Sequence, residues 1–163
     1  MAPARLAATA DALRATLVYA SPVHFERIAN APGGARLETL RLAISTAAAL
    51  PAAVAERFAA VFGRPLGQAY GIIEAGLPCI NLGTAPPGSV GPAVPGYAVA
   101  IHDTDGGNLP PDTPGEVVVR GSGLFEGYYA PRRSRAEVLH DGWFRTGDVG
   151  SLDAAGVLTL RGR

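Results

Sequence analysis

The first half of the chain alternates short apolar runs with longer amphipathic segments, and this alternation restricts the fold more than any other feature. Residues 15–20 and 40–45 have the length and composition of buried strands. Segments with helical signals follow them, over residues 22–29 and from residue 51 to Gly63. Strands separated by helices of this length predict a parallel sheet with β-α-β crossovers.

The helical segments carry start and stop signals that agree with their apolar spacing. A short helical pattern covers residues 7–13. Ser21-Pro22 places an N-cap residue before a proline at the first helical position. In the later helix, apolar residues recur at helical spacing, and these are Val54, Phe58, Val61 and Phe62. Gly63 then predicts the end of that helix.

The composition of the sequence changes at Ile80, after which glycine and proline become frequent. Short strands are predicted at residues 98–102, 116–120 and 156–160, and one helix is predicted over residues 131–139. This half reads as a small distorted β-barrel or curved sheet. The predicted fold is therefore α/β followed by mostly β.

This change of composition predicts two portions of the chain. Residues 1–79 form a parallel β-α-β sheet portion, and residues 80–163 form a β-rich portion.

Composition excludes several classes of function. The 163 residues include 14 basic and 14 acidic side chains, so the sequence predicts no binding of nucleic acid or of an anionic membrane. All 14 basic residues are arginine. No apolar run approaches the roughly 18 residues of a membrane span. The single cysteine, Cys79, excludes an internal disulfide, and with no signal-like start we expect a cytoplasmic protein. The histidines lack zinc-ligand spacing with Cys79.

A first candidate site lies in Tyr70-Gly71-Ile72-Ile73-Glu74, at the end of a predicted strand of the parallel sheet. Ligands of such sheets usually bind at the carboxyl ends of strands. A tyrosine offers a flat face to a purine, and Gly71 allows close approach of the backbone. Glu74 could hold Mg²⁺ against phosphates. The alternative is a tight turn with one carboxylate facing solvent.

A second candidate site is the polar segment Asp141-Gly142-Trp143-Phe144-Arg145-Thr146-Gly147-Asp148. The carboxylate of Asp148 can accept two hydroxyl hydrogen bonds, which suits the 2′ and 3′ hydroxyls of ribose. The alternative is an aspartate that caps a turn after Gly147. Arg163, the last residue, offers a permanent charge and a fork of donors suited to an anion.

Together these segments, with Gly115-Glu116-Val117-Val118-Val119-Arg120-Gly121 between them, resemble the adenylate-forming superfamily. That superfamily contains acyl- and aryl-CoA ligases, adenylation domains of nonribosomal peptide synthetases, and luciferases. The resemblance implies part of the N-terminal domain of such an enzyme. It also implies an adenine contact by Tyr70, with Gln68 reading the adenine amino group, magnesium at Glu74, ribose at Asp148, and ribose and phosphate contacts by Arg163.

The same resemblance implies an apolar acyl pocket without a charged partner for an α-amino group, which favours a small carboxylic acid over an amino acid. By position it would be lined by His24, Ile44, Thr46, Ala69 and Leu77. The alternatives are a histidine on the flank of a helix at His24, and a plain strand-to-helix turn at residues 44–50.

Three positions depart from the family's motifs. Ile73 stands where the family has a threonine that contacts the α-phosphate, so a hydroxyl donor is missing. Thr46 and Ala47 replace two glycines of a Ser-Gly-Gly-Ala-Pro-Leu loop, and their Cβ atoms disfavour positive φ angles.

The function implied by the resemblance is that of a fragment of an ATP-dependent ligase that activates carboxylates as acyl-adenylates. Its cofactors would be ATP or AMP and magnesium, with CoA or a carrier thiol as acceptor in the complete enzyme. We expect a lysine-bearing phosphate loop and a C-terminal lid to lie outside this sequence. The isolated chain should then be inactive and should self-associate through surfaces that the missing segments cover. The alternative is a non-catalytic binding or interaction module derived from the same fold.

Overall fold

The computed structural model describes residues 3–163, so the first two residues of the predicted α/β portion lie outside it. Two compact units are present. The first contains the chain up to Ala69 together with Asn81–Gly88, and the second contains Tyr70–Ile80 and Ser89–Arg163. The division after residue 79 that the sequence suggests stays a prediction.

Helices and strands alternate along the chain up to Ala69. In chain order the elements are α1 (Pro3–Ala12), β1 (Leu17–Ala20), α2 (Pro22–Asn30), β2 (Leu42–Ser45), α3 (Ala52–Phe62) and β3 (Gly67–Ile72). Strands β1 and β2 pair in parallel, as do β2 and β3. The next strand, β4 (Gly76–Asn81), completes a sheet of order β1-β2-β3-β4. The predicted parallel β-α-β arrangement is therefore confirmed, although α1 starts earlier than residue 7.

Helix α3 is held by its buried aromatic face. The Phe58 side chain is 0% exposed, and its ring contacts Phe25 edge-on at 5.3 Å and Phe62 at 4.9 Å between centroids. Val61 lies on the outer side of the helix and is 37% exposed. Gly63 ends the helix at φ 64°, a left-handed conformation that glycine adopts without steric cost. The core of the first unit thus forms where the apolar spacing predicts it.

The second unit is built on antiparallel strands. Its further elements are β5 (Gly91–Pro92), β6 (Tyr97–His102), β7 (Gly115–Gly121), β8 (Gly127–Tyr128), β9 (Arg133–Ser134), α4 (Arg135–Val138), β10 (Leu139–His140), β11 (Trp143–Leu152) and β12 (Val157–Gly162). The main sheet has the order β5-β12-β11-β7-β6, and β10 pairs with β11. Its core centres on the completely buried side chains of Val117, Val119 and Leu158. The predicted β-rich portion is confirmed.

The prediction of one helix over residues 131–139 is wrong. Strand β9 pairs with β8 in this region, and only the four residues of α4 are helical. The physical reason is a capping box, in which the Glu137 carboxylate accepts hydrogen bonds from the backbone N–H and hydroxyl of Ser134 at 2.7 and 2.6 Å. Because Ser134 is the N-cap, the helix cannot begin before Arg135.

Within residues 3–163, no helix is long and apolar enough to cross a membrane.

We predict that Phe58→Ala lowers the free energy of unfolding by about 3–5 kcal/mol, because it leaves a cavity beside two aromatic rings. Urea unfolding followed by circular dichroism measures the change. Val61→Ala on the same helix is the matched control and should cost about 1 kcal/mol or less, since that side chain is partly exposed. Equal losses for the two variants would contradict the assigned core.

Candidate functional site

The second unit holds a buried tyrosine–aspartate pair that joins the end of β3 to β11. Tyr70 is 6% exposed, and its hydroxyl donates to Oδ2 of Asp148 at 2.7 Å. Burial raises the pKa of Tyr70 well above its usual value, and the contact with Asp148 adds to this rise against an opposing effect of Thr146. The phenol therefore stays protonated and remains a donor. Two residues singled out from separate motifs are thus in direct contact.

A bulge in β11 sets the position of Asp148. Arg145 pairs with Val118 and Val149 pairs with Glu116, so residues 146–148 lie opposite Val117 alone. Extra residues on one strand of an antiparallel pair re-aim its side chains. The Thr146 hydroxyl donates to the Val117 carbonyl oxygen at 2.7 Å and accepts the backbone N–H of Asp148 at 3.1 Å. The backbone of Asp148 is held by this local network and not by ladder pairing.

Arg163 reaches the same carboxylate from the end of the chain. Its Nε atom lies 3.4 Å from Oδ1 of Asp148. The Arg163 side chain is 77% exposed, so water screens this ion pair and it stabilises the fold little. Its contribution is to place a solvent-exposed cation beside a largely buried anion. Asp148 thus has one oxygen held by Tyr70 and the other beside Arg163.

Glu74 lies in the short connection between β3 and β4. Its Oε1 atom accepts the Tyr128 hydroxyl at 2.9 Å, and its carbonyl oxygen accepts the Phe125 N–H at 2.8 Å. Within residues 3–163, no cluster of three or more acidic, histidine or cysteine side chains could hold a metal ion. A half-buried single carboxylate fits Mg²⁺ only if phosphate oxygens and waters supply the other ligands, which is the usual form of such sites.

Gly71 is required by close packing of the chain against itself. A Cβ atom at Gly71 would lie 2.5 Å from the Gly76 carbonyl oxygen and 2.6 Å from Cδ2 of Leu77. Neither distance is sterically possible without movement of the backbone or of Leu77. The position therefore has a structural role in the turn between β3 and β4, whether or not a ligand also approaches it.

The other predicted residues belong to the first unit, except Leu77. Gln68 and Ala69 are buried on β3, and Ile44 on β2 lies opposite Gly67. Thr46 follows β2 and donates its backbone N–H to the Ala20 carbonyl oxygen at 3.0 Å. Their assignment to adenine or acyl contacts stays a prediction.

His24 lies on α2, and its side chain contacts the residue before the helix. Its Nδ1 atom lies 2.7 Å from the Ser21 hydroxyl oxygen. Ser21 occupies the predicted N-cap position, but its side chain makes no cap hydrogen bond to the helix backbone. The role of His24 beside an acyl pocket stays a prediction, as does that of Leu77.

Ala47 adopts a backbone conformation that favours glycine. Its φ angle is 69°, in the left-handed region that costs a residue with Cβ about 1–2 kcal/mol. The loop after β2 therefore places an alanine where the backbone favours glycine. The conflict that the sequence indicates at this position is present in the backbone of the structure.

Two features of the site carry no signal that sequence reasoning could use. The Ser45 hydroxyl is completely buried and lacks a hydrogen-bond partner among residues 3–163. Buried polar atoms are normally satisfied, so this hydroxyl is an exception among the described residues. Tyr128 is 54 positions from Glu74 along the chain, and such separations leave no local pattern.

The fold of this chain matches part of a domain of the adenylate-forming enzymes. The solved structure of ATP-bound MatB from Rhodopseudomonas palustris superimposes with a TM-score of 0.87 at 31% identity. The match covers 100% of this chain and 33% of that protein.

Sequence comparison gives the family. The family model described as AMP-binding enzyme matches residues 1–129. A feruloyl-CoA synthase from Amycolatopsis sp is 34% identical over 94% of this chain and 32% of the relative. A long-chain-fatty-acid–CoA ligase from Yersinia pestis is 35% identical over 75% of this chain and 22% of the relative. The chain belongs to the AMP-binding enzyme family, and it spans about a third or less of these relatives.

We predict that Ala47→Gly raises the free energy of unfolding by up to about 1 kcal/mol, because relief of the left-handed strain exceeds the added freedom of the unfolded chain. Urea unfolding measures the shift. Ala48→Gly is the matched control, because Ala48 is not among the residues with positive φ and should lose stability when replaced by glycine. A loss of stability in Ala47→Gly would mean that the loop does not follow the described path.

Proposed function

We propose that this chain is part of an ATP-dependent ligase that activates a carboxylic acid as an acyl-adenylate, and that it carries the adenine and ribose contacts. The observation that carries the proposal is the carboxylate of Asp148, a residue that is 9% exposed, with one oxygen bonded to Tyr70 and the other beside Arg163. A carboxylate kept in place by neighbouring groups can accept two ribose hydroxyls without rearrangement.

The other nucleotide contacts in this proposal follow the chain around Asp148. Because its hydroxyl is engaged, Tyr70 would act through the face of its ring towards adenine. Gly71 would let the backbone approach the base, and Gln68 would read the adenine amino group. Arg163, with an exposed side chain, would turn its remaining donors to ribose and phosphate oxygens.

Glu74 is the residue we propose for magnesium. Its Oε2 atom accepts no hydrogen bond and forms no ion pair within residues 3–163, whereas Oε1 accepts the Tyr128 hydroxyl. When bound, Mg²⁺ supplies charge neutralisation on the phosphates. Ile73, 99% exposed beside Glu74, leaves phosphate contacts to other groups.

The reaction proposed for the complete enzyme has two stages. A carboxylate oxygen attacks the α-phosphorus of ATP and forms a bond to it, and pyrophosphate leaves. The product is an acyl-adenylate. A thiol of CoA or of a carrier then takes the acyl group and releases AMP. The carboxylic acid would enter beside a group of residues that follow the family positions, namely His24, Ile44, Thr46, Ala69 and Leu77.

The isolated chain would bind nucleotide without turnover. Two observations support this part of the proposal: the chain spans about a third of the enzymes it matches, and it contains no lysine to stabilise the phosphate charge. The single thiol, Cys79, is 0% exposed, and burial raises its pKa to about 12. An inert, unpaired cysteine agrees with a cytoplasmic location, which we also propose.

We predict that isothermal titration detects binding of AMP and of ATP with Mg²⁺, and that Asp148→Ala weakens both by about 10-fold or more through loss of the ribose hydrogen bonds. Asp105→Ala, which removes an exposed carboxylate from a turn of the same unit, is the matched control and should bind like the unaltered chain.

The absence of any heat at millimolar nucleotide would contradict the proposal and favour a non-catalytic interaction module derived from this fold. Binding that persists unchanged in Asp148→Ala would mean that nucleotide is held elsewhere on the chain.

We further predict that the isolated chain self-associates through the first unit. Strand β1 is at the end of the sheet order, and Leu17 and Tyr19 on it are 51% and 49% exposed, beside Leu42 at 42%. An apolar sheet edge favours association. Multi-angle light scattering should show a mass that rises with concentration, and a double change of Leu17→Ser and Tyr19→Ser should reduce the rise. A constant monomer mass for the unaltered chain would refute it.

A further inference from the structure

One segment of the second unit holds Glu74 at both its backbone and its side chain. The backbone N–H of Phe125 donates to the Glu74 carbonyl oxygen at 2.8 Å, and the Tyr128 hydroxyl donates to Glu74 Oε1 at 2.9 Å. These two contacts come from residues three apart, which form a clasp of residues 125–128 around Glu74. The motif that contains Glu74 therefore does not position its own carboxylate.

The clasp is itself fixed by packing and hydrogen bonds. The Phe125 ring contacts the Tyr128 ring at 4.8 Å and the buried Phe144 ring at 5.5 Å, both nearly perpendicular. Nη1 of Arg135 donates to the Phe125 carbonyl oxygen at 3.0 Å. Tyr128 also pairs with Arg133 between β8 and β9. A phenol held in this way loses little freedom when it donates a hydrogen bond.

The chemistry of the contact keeps the charge of the carboxylate available. A phenol is a neutral donor, so it orients the carboxylate plane without cancelling its negative charge, whereas an arginine in this place would do both. Oε2 remains without a partner within residues 3–163.

We propose that Tyr128 is a positioning residue that orients Glu74 so that Oε2 coordinates the magnesium ion of Mg²⁺–ATP. This inference rests on the proposed function, because it assigns the geometry of the same nucleotide site. Partners that hydrogen-bond to a metal-ligating group typically change metal affinity about 10–100-fold when removed. The effect of Tyr128 is confined to metal-dependent binding, since the contacts proposed for adenine and ribose do not include Glu74.

Removal of the hydroxyl alone leaves the turn that carries Glu74 in place. The Glu74 carbonyl oxygen keeps its bond from Phe125, and the neighbouring Ala75 carbonyl oxygen accepts the Tyr97 hydroxyl. Tyr128→Phe also keeps the ring that packs on Phe125. The adjacent Tyr129 is 97% exposed, so Tyr129→Phe is a control that makes the same chemical change one position along the chain.

The test is a set of calorimetric titrations of the chain with AMP, with ATP in EDTA, and with ATP in excess Mg²⁺. In the unaltered chain and in Tyr129→Phe, Mg²⁺ should tighten ATP binding by the same factor. In Tyr128→Phe that factor should fall by about 10-fold, and in Glu74→Gln it should be lost. The dissociation constant for AMP should stay within about two-fold of the unaltered value in all of these variants.

Three other results would each overturn the role of Tyr128 or the proposed function. An unchanged magnesium effect in Tyr128→Phe would overturn the role of Tyr128 while leaving the proposed function intact. An equal loss of AMP and Mg²⁺–ATP binding in Tyr128→Phe, with a lowered melting temperature, would mean a purely structural role and would overturn it too. No binding of any nucleotide by the unaltered chain would overturn the proposed function, and the role of Tyr128 with it.

Discussion

The hydrogen bond from Tyr70 to Asp148 is the contact on which the arrangement of the second unit's polar groups depends. A carboxylate buried to this degree is costly unless its oxygens are satisfied. The bulge of β11 and the hydroxyl of Thr146 bring Asp148 to the place where the phenol can reach it. The same contact joins the strand that carries the first motif to the strand that carries the second.

Tyrosine hydroxyls hold both of the carboxylates that we assign to the nucleotide. Tyr70 donates to Asp148, and Tyr128 donates to Glu74. In each pair the donor is neutral, so the carboxylate is oriented while its charge remains available to ribose hydroxyls, to Arg163 or to a cation. Orientation by a neutral group and neutralisation by a charged one are separate tasks, and this chain assigns the first to tyrosines. The substitution of Ile73 for a hydroxyl residue leaves both pairs intact.

Local patterns account for much of the fold, whereas long-range contacts account for most of the site. The helical spacing around Phe58 and the glycine at position 63 predict α3 correctly, because both signals act within one or two turns. The helix predicted over residues 131–139 failed because a capping box at Ser134 overrode the pattern. Sequence motifs identified Tyr70 and Asp148, yet nothing in them indicates that the two side chains meet. The left-handed conformation of Ala47 and the hydrogen bond from Tyr128 to Glu74 likewise cannot be predicted from the sequence.

The register shift between β11 and β12 sets which residue of the C-terminal strand lies next to Asp148. Val149 lies opposite Gly162, whereas Gly150 lies opposite Leu160, so Arg161 of β12 has no partner in the pairing, two residues before Arg163. With this register, the Arg163 side chain lies beside Asp148. One residue inserted or deleted between Gly156 and Arg163 would present another side chain to the carboxylate, without altering any residue of either motif. The length of this hairpin therefore contributes to the site although the hairpin turn belongs to neither motif.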